Sequence, residues 1–109
     1  MLERKLQKPL EGWYKCTIAD YEEIVLCSRE KCIRVTYSVT TENGNEHLVN
    51  DWWTNKRVEY IVKGICEQLG IKYWDISFRE LLERCTREEF YVHFEPTFRG
   101  YNTRHLRES

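Results

Sequence analysis

Cys32-Ile33-Arg34-Val35-Thr36-Tyr37-Ser38-Val39-Thr40 decides the fold class. Ile33, Val35, Tyr37 and Val39 fall on one side of an extended chain, and Arg34, Thr36, Ser38 and Thr40 on the other. A period of two marks a strand with one buried face. Glu42-Asn43-Gly44-Asn45 follows directly. Asn-Gly suits the positive φ angles of a type I′ turn, so a hairpin is expected, with its returning strand over 46–53.

Upstream, Gly12 opens Trp13-Tyr14-Lys15-Cys16-Thr17-Ile18-Ala19-Asp20-Tyr21. Tyr14, Cys16 and Ile18 share one face of a strand, with Lys15 and Thr17 opposite. Ile24-Val25-Leu26 either extends that strand or begins another before the polar Ser28-Arg29-Glu30.

Downstream, the period changes. Val58, Ile61, Val62, Ile65, Cys66 and Leu69 form a helical stripe. Thr54 or Asn55 is expected to cap its start and Gly70 to end it. Ile71 to Ile76 is an apolar connector. Ser77-Phe78-Arg79-Glu80 has capping-box spacing and predicts a short helix with Leu81, Leu82 and Cys85 inward. Phe90, Val92 and Phe94 alternate in a last strand that Pro96 stops.

The expected order is strand, strand, strand, helix, short helix, strand. That is mainly β with α, and fits a small β-barrel of the OB type, with a helix between the third and fourth strands. An open α+β sheet with one helix on a face is the alternative. The 109 residues make one domain, with an ordered core over about 12–96 and polar termini at 1–11 and 97–109.

Charged residues are 32% of the chain and net charge is -1, which argues against both a wholly basic nucleic-acid binder and an acidic tail protein. Charge is uneven, however. Arg4, Lys5 and Lys8 against Glu3 leave residues 1–10 at +2. Arg99, Arg104 and Arg107 against Glu108 leave 97–109 at +2, and the stretch between is -5. Basic ends can supplement phosphate binding.

Five cysteines cannot all pair within one chain, which points to free thiols in a reducing compartment. Cys27-x4-Cys32 lacks zinc spacing, and His47, His93 and His105 are scattered, so no metal or other cofactor is expected. Met1 to Leu6 lacks the apolar region of a signal peptide, and no run approaches membrane-spanning length. A cytoplasmic, non-membrane protein is expected. No nucleophile elbow, phosphate loop or metalloprotease motif occurs, so no enzyme is expected.

Aromatic residues are 14% of the chain, and strand alternation divides them. Trp13 and Tyr91 fall opposite the predicted core. Trp52 and Trp53 point to opposite faces, so one of them leaves the core side. Trp13, Trp52, Trp53 and Tyr91 form a candidate platform for stacking bases of single-stranded DNA. Lys15, Arg34, Lys56 and Arg57 are the candidate phosphate contacts. An acidic middle and Trp-rich surface suit a protein partner instead, as in a small inhibitor or adaptor. A homo-oligomer burying the same rings is a third reading.

The succession from Gly12-Trp13-Tyr14-Lys15-Cys16-Thr17-Ile18 through Ile33–Val39, Trp52-Trp53 and Ile61 to Gln68-Leu69-Gly70-Ile71 resembles a bacteriophage family. Phe90 to Phe94 and Gly100-Tyr101-Asn102 extend the resemblance over most of the chain. The family is catalogued as a domain of unknown function, encoded near recombination or replication genes. The resemblance implies an OB-type fold and single-stranded DNA binding; the rival protein-binding reading, drawn from the charge and the surface rings, would be a small phage protein that blocks a host defence nuclease. Family members often end in an acidic tail, whereas the last residues here include the basic Arg104-His105-Leu106-Arg107.

Overall fold

The computed structural model describes residues 9–105. Arg4, Lys5, Lys8 and Arg107 of the basic termini lie outside the described residues. The elements are β1 (Gly12–Val25), β2 (Lys31–Thr40), β3 (Glu46–Thr54), α1 (Val58–Leu69), a 3-10 turn (Tyr73–Asp75), α2 (Phe78–Cys85), β4 (Phe90–Thr97) and β5 (Gly100–Arg104). The strands form one antiparallel sheet in the order β3-β2-β1-β4-β5. Its edges, β3 and β5, share no backbone ladder among the described residues. The chain is therefore mainly β with α, and its open sheet is the second of the two architectures expected.

Register explains the core. Cys16 pairs with Val39 and Phe90, Ile18 with Tyr37, and Tyr37 with Val49. Directly paired residues share a face, so these side chains line one side of the sheet. Ile61, Ile65 and Cys66 of α1 and Leu81, Leu82 and Cys85 of α2 are buried in the same cluster. β1 carries a bulge between Ile18 and Asp20. The extra residue resets the alternation, so Tyr21 and Glu23, opposite Val35 and Ile33, continue the core face.

Local signals behave unevenly. Ser77 Oγ accepts from the Glu80 backbone N–H at 3.2 Å, as its capping role predicts. Gly70 ends α1 at φ 70°, with the Ile71 N–H returning to the Cys66 carbonyl at 2.9 Å. Neither Thr54 nor Asn55 caps α1. Arg57 holds that position without a side-chain cap bond, and its guanidinium turns back toward β3. The Asn43-Gly44 turn is also not type I′, because Gly44 alone has positive φ there. Gly44 N–H reaches the Thr41 carbonyl at 2.8 Å and Thr41 N–H the Asn45 carbonyl at 3.0 Å. Those bonds describe a type I turn followed by a left-handed residue.

The β1–β2 turn repeats this design with the wrong residue. Arg29 N–H reaches the Leu26 carbonyl at 2.8 Å, and Arg29 itself has φ 67°. A left-handed conformation costs a residue with a Cβ about 1–2 kcal/mol. Glycine avoids that cost and loses part of the gain to its freer unfolded chain. Arg29→Gly is expected to raise stability by about 1 kcal/mol, read from a higher urea midpoint at unchanged slope. A lower midpoint would show that the guanidinium does something the turn needs.

The expected polar tail also holds structure. Gly100–Arg104 forms β5, Tyr101 Oη accepts the Leu10 N–H at 2.9 Å, and both Leu10 and His105 are buried. The ordered core thus extends on both sides of 12–96. No helix among the described residues is long and apolar enough to cross a membrane.

Candidate functional site

The structure separates the eight residues proposed to bind nucleic acid. Trp53 is 1% exposed, and its indole N–H donates to Tyr37 Oη at 2.9 Å. It is a core residue and cannot stack a base. Register decides this, since Trp53 opposes Ile33 on the core face, while Trp52 opposes Arg34 on the other. Trp52 is 45% exposed. Arg34 is not available to phosphate as expected. Its guanidinium bonds Asp20 at 3.0 Å and Glu22 at 3.2 Å, and donates to Thr36 at 2.9 Å. The two carboxylates hold its pKa above the ordinary arginine value.

Trp13 on β1 and Tyr91 on β4 share the outer face, near the end of β1 opposite the one that pairs with β2's Arg34. Trp13 is half-buried and meets the His93 ring edge-on, with centroids 5.3 Å apart. Tyr91 is exposed, and Lys15 Nζ lies 5.8 Å from its ring centroid. Lys56 is exposed at the approach to α1.

Arg57 belongs to a buried polar cluster. Its guanidinium donates to Asp51 Oδ1 at 3.1 Å, the Trp52 carbonyl at 2.9 Å and Thr103 Oγ1 at 2.9 Å. Thr103 in turn donates to Asp51 Oδ2 at 2.7 Å. The sheet edges that no ladder joins are thus clasped by side chains, with Asp51 from β3, Thr103 from β5 and Arg57 over both.

Tyr37 Oη is the hub beneath the clasp. It lies 2.8 Å from Asp51 Oδ2, 2.9 Å from Trp53 Nε1 and 2.6 Å from His105 Nε2. A phenol has one proton and two lone pairs. The carboxylate can only accept, so the proton goes to Asp51. Trp53 N–H and His105 Nε2–H then fill the lone pairs, which assigns the histidine tautomer. Burial pushes the Tyr37 hydroxyl pKa well above 10. Burial also drives His105 down to about 4, so it is neutral at neutral pH. For Asp51, burial alone would raise the pKa. The Arg57 charge and the bonds from Thr103, Arg57 and Tyr37 outweigh it and hold the carboxyl below its usual value. Tyr37 is 0% and His105 3% exposed, so the cluster is held inside the fold.

Two cavities flank the clasp along the seam between β3 and β5. One, of about 700 Å³, lies between Leu48–Trp52 and the β4–β5 hairpin, with Trp52, Phe98, Arg99 and Asn102 on its walls. The other, of about 300 Å³, is walled by Lys56, Arg57, Tyr60, Thr103, Arg104 and His105. The two walls together carry Arg99, Lys56, Arg57 and Arg104, and no Asp or Glu. Trp52, Tyr60 and Phe98 are exposed along them. Trp52, Lys56 and Arg57 were expected at a nucleic-acid interface, and Arg99 and Arg104 as part of a basic end that supplements phosphate binding; Tyr60 and Phe98 were not expected. The signal for Phe98 was its place at a hairpin tip, which is invisible until β5 is recognised.

Known proteins do not decide the function. No family model matches the chain, and no curated protein matches it.

Two of the buried thiols are held protonated. Burial pushes Cys85 up to about 12 and Cys16 well above the ordinary thiol value, so neither is a thiolate at neutral pH. Cys27 is exposed and Cys32 buried, and all five are free. Among the described residues no three His, Cys, Asp or Glu side chains are grouped to hold a metal.

Proposed function

We propose that the protein is a non-enzymatic, single-stranded DNA-binding protein of the bacteriophage type, acting in the cytoplasm in replication or recombination. The supporting observation is the seam, whose walls combine exposed rings with four cations and no acid. Aromatic faces stack bases regardless of sequence, and cations meet the backbone. Trp52 and Phe98 stack, Asn50 and Asn102 meet base edges, and Arg99, Lys56 and Arg104 meet phosphates. Arg57 serves mainly the clasp. On this reading the fold is an OB-type barrel parted at the seam, which places the ligand beside β3 and the β4–β5 loop. The proposed track thus moves from the sheet face, where Arg34 is already neutralised, to the seam.

Fluorescence anisotropy with a labelled oligothymidylate tests this. Binding should weaken as salt rises, since bound cations release counterions. Trp52→Ala with Phe98→Ala should weaken binding by about a hundredfold, at roughly 1–3 kcal/mol per stack. Absence of binding at low salt would end the proposal, and so would a double variant that binds as well as the parent. A protein partner is the second reading, favoured by the paired Arg34 and acidic outer face around Asp20 and Glu22. Capture of one stoichiometric nuclease by a protein that ignores oligothymidylate would support it.

A further inference from the structure

A third cavity lies away from the seam and shares none of its wall residues. It has about 530 Å³ and lies between one end of the β1–β3 core face and α1, the 3-10 turn and α2. Ile33, Trp53, Val58, Val62, Phe78 and Leu81 are its apolar walls. Ligand pockets of about 300–1,000 Å³ typically combine such walls with a few polar groups that orient the guest.

Here one such group is Glu23. The β1 bulge places it on the core face opposite Ile33, at the cavity wall. Glu23 is exposed, and its carboxylate makes no hydrogen bond or ion pair among the described residues. The second acid, Glu59, is already bonded by Lys63 at 3.1 Å. Lys31 lies one layer further out on the same strand face and forms no ion pair with Glu23. Tyr73 stands at the same cavity, and its ring already attracts a cation, with Lys63 Nζ 5.2 Å from the centroid.

We propose that this cavity binds an apolar organic cation, with its hydrophobic body against Trp53, Phe78 and Ile33 and its ammonium at Glu23. The carboxylate supplies a charge-assisted hydrogen bond, and the aromatic wall favours a cation beside it. An organic anion of the same shape would face Glu23 and is disfavoured.

Phenethylamine and phenylacetate, titrated into the labelled protein and followed by amide chemical shifts, test the assignment. Phenethylamine should saturably shift Ile33, Val62 and Phe78, with phenylacetate at least about tenfold weaker. Glu23→Gln alters an exposed side chain, so the variant folds, and it should weaken phenethylamine by about tenfold. Equal binding of the two probes would overturn the proposal. Unchanged affinity in Glu23→Gln would do the same, as would shifts confined to the seam. Oligothymidylate binding is unaffected by any of these outcomes, because the cavities share no residue.

Discussion

Asp51→Asn is expected to cost about 3 kcal/mol of stability. The carboxylate accepts from four donors: Tyr37 Oη, Thr103 Oγ1, the Trp52 N–H and Arg57 Nη1. An amide of the same shape has one accepting oxygen and turns its NH2 toward two of those donors. The Tyr37 oxygen already receives Trp53 and His105, so it cannot reorient to accept a third. At least one buried donor is stranded, at about 1–3 kcal/mol, and the charge pair with Arg57 is lost as well. Arg57 keeps 39% of its side chain exposed and can return to water, which limits the total. Urea unfolding would show a lower midpoint at unchanged slope. A loss below about 1 kcal/mol would mean the clasp is not a structural element.

Acid is expected to destabilise the fold through His105. Burial lowers its pKa from 6.5 to about 4, so the folded imidazole stays neutral where the unfolded chain takes up a proton. The unfolded state then binds more protons, and stability increases with pH across that window. The contribution is complete above about pH 6.5 and is lost as pH falls toward about 4. Its full size is about 3 kcal/mol. Asp51 acts in the same direction at lower pH, since its carboxyl is held below the usual value and its stabilisation disappears on protonation. Unfolding midpoints at about pH 7 and about pH 4.5 would measure the effect, with His105→Gln losing most of it. A parent protein equally stable at both values would refute the assignment of a buried, neutral imidazole.

Much of this architecture is legible in the sequence wherever one face is consistently apolar. From Ile33 to Thr40 apolar and polar residues of β2 alternate, and α1 keeps its stripe from Val58 to Leu69. β3 is harder to read. Its two parities are Leu48, Asn50, Trp52 and Val49, Asp51, Trp53, each mixing apolar with polar residues. Only the pairing with β2 selects the second set for the core. Asp51 enters that core because Thr103 and Arg57 come from elsewhere in the chain, and no local pattern announces them. β5 is equally quiet, since its inward residues are Tyr101 and Thr103, one amphipathic and one polar. The bulge at Ala19 leaves no residue signature either, yet it determines where Glu23 sits. The candidate seam was half visible for the same reason: Trp52 and Lys56 stand beside readable elements, whereas Phe98 and Arg99 stand beside β5.

The side-chain clasp also bears on the order in which the chain assembles. Its bonds join Arg57 to Thr103, Asp51 to Thr103 and Tyr37 to His105, at separations of 46, 52 and 68 residues. The turns between β1, β2 and β3 close instead within a few residues. Short loops cost less entropy to close, and distant contacts reward the chain only after that cost is met. The first three strands can therefore meet as a local meander, with β5 arriving last to fasten the edge. Heating should reverse this order, parting the seam before the meander melts.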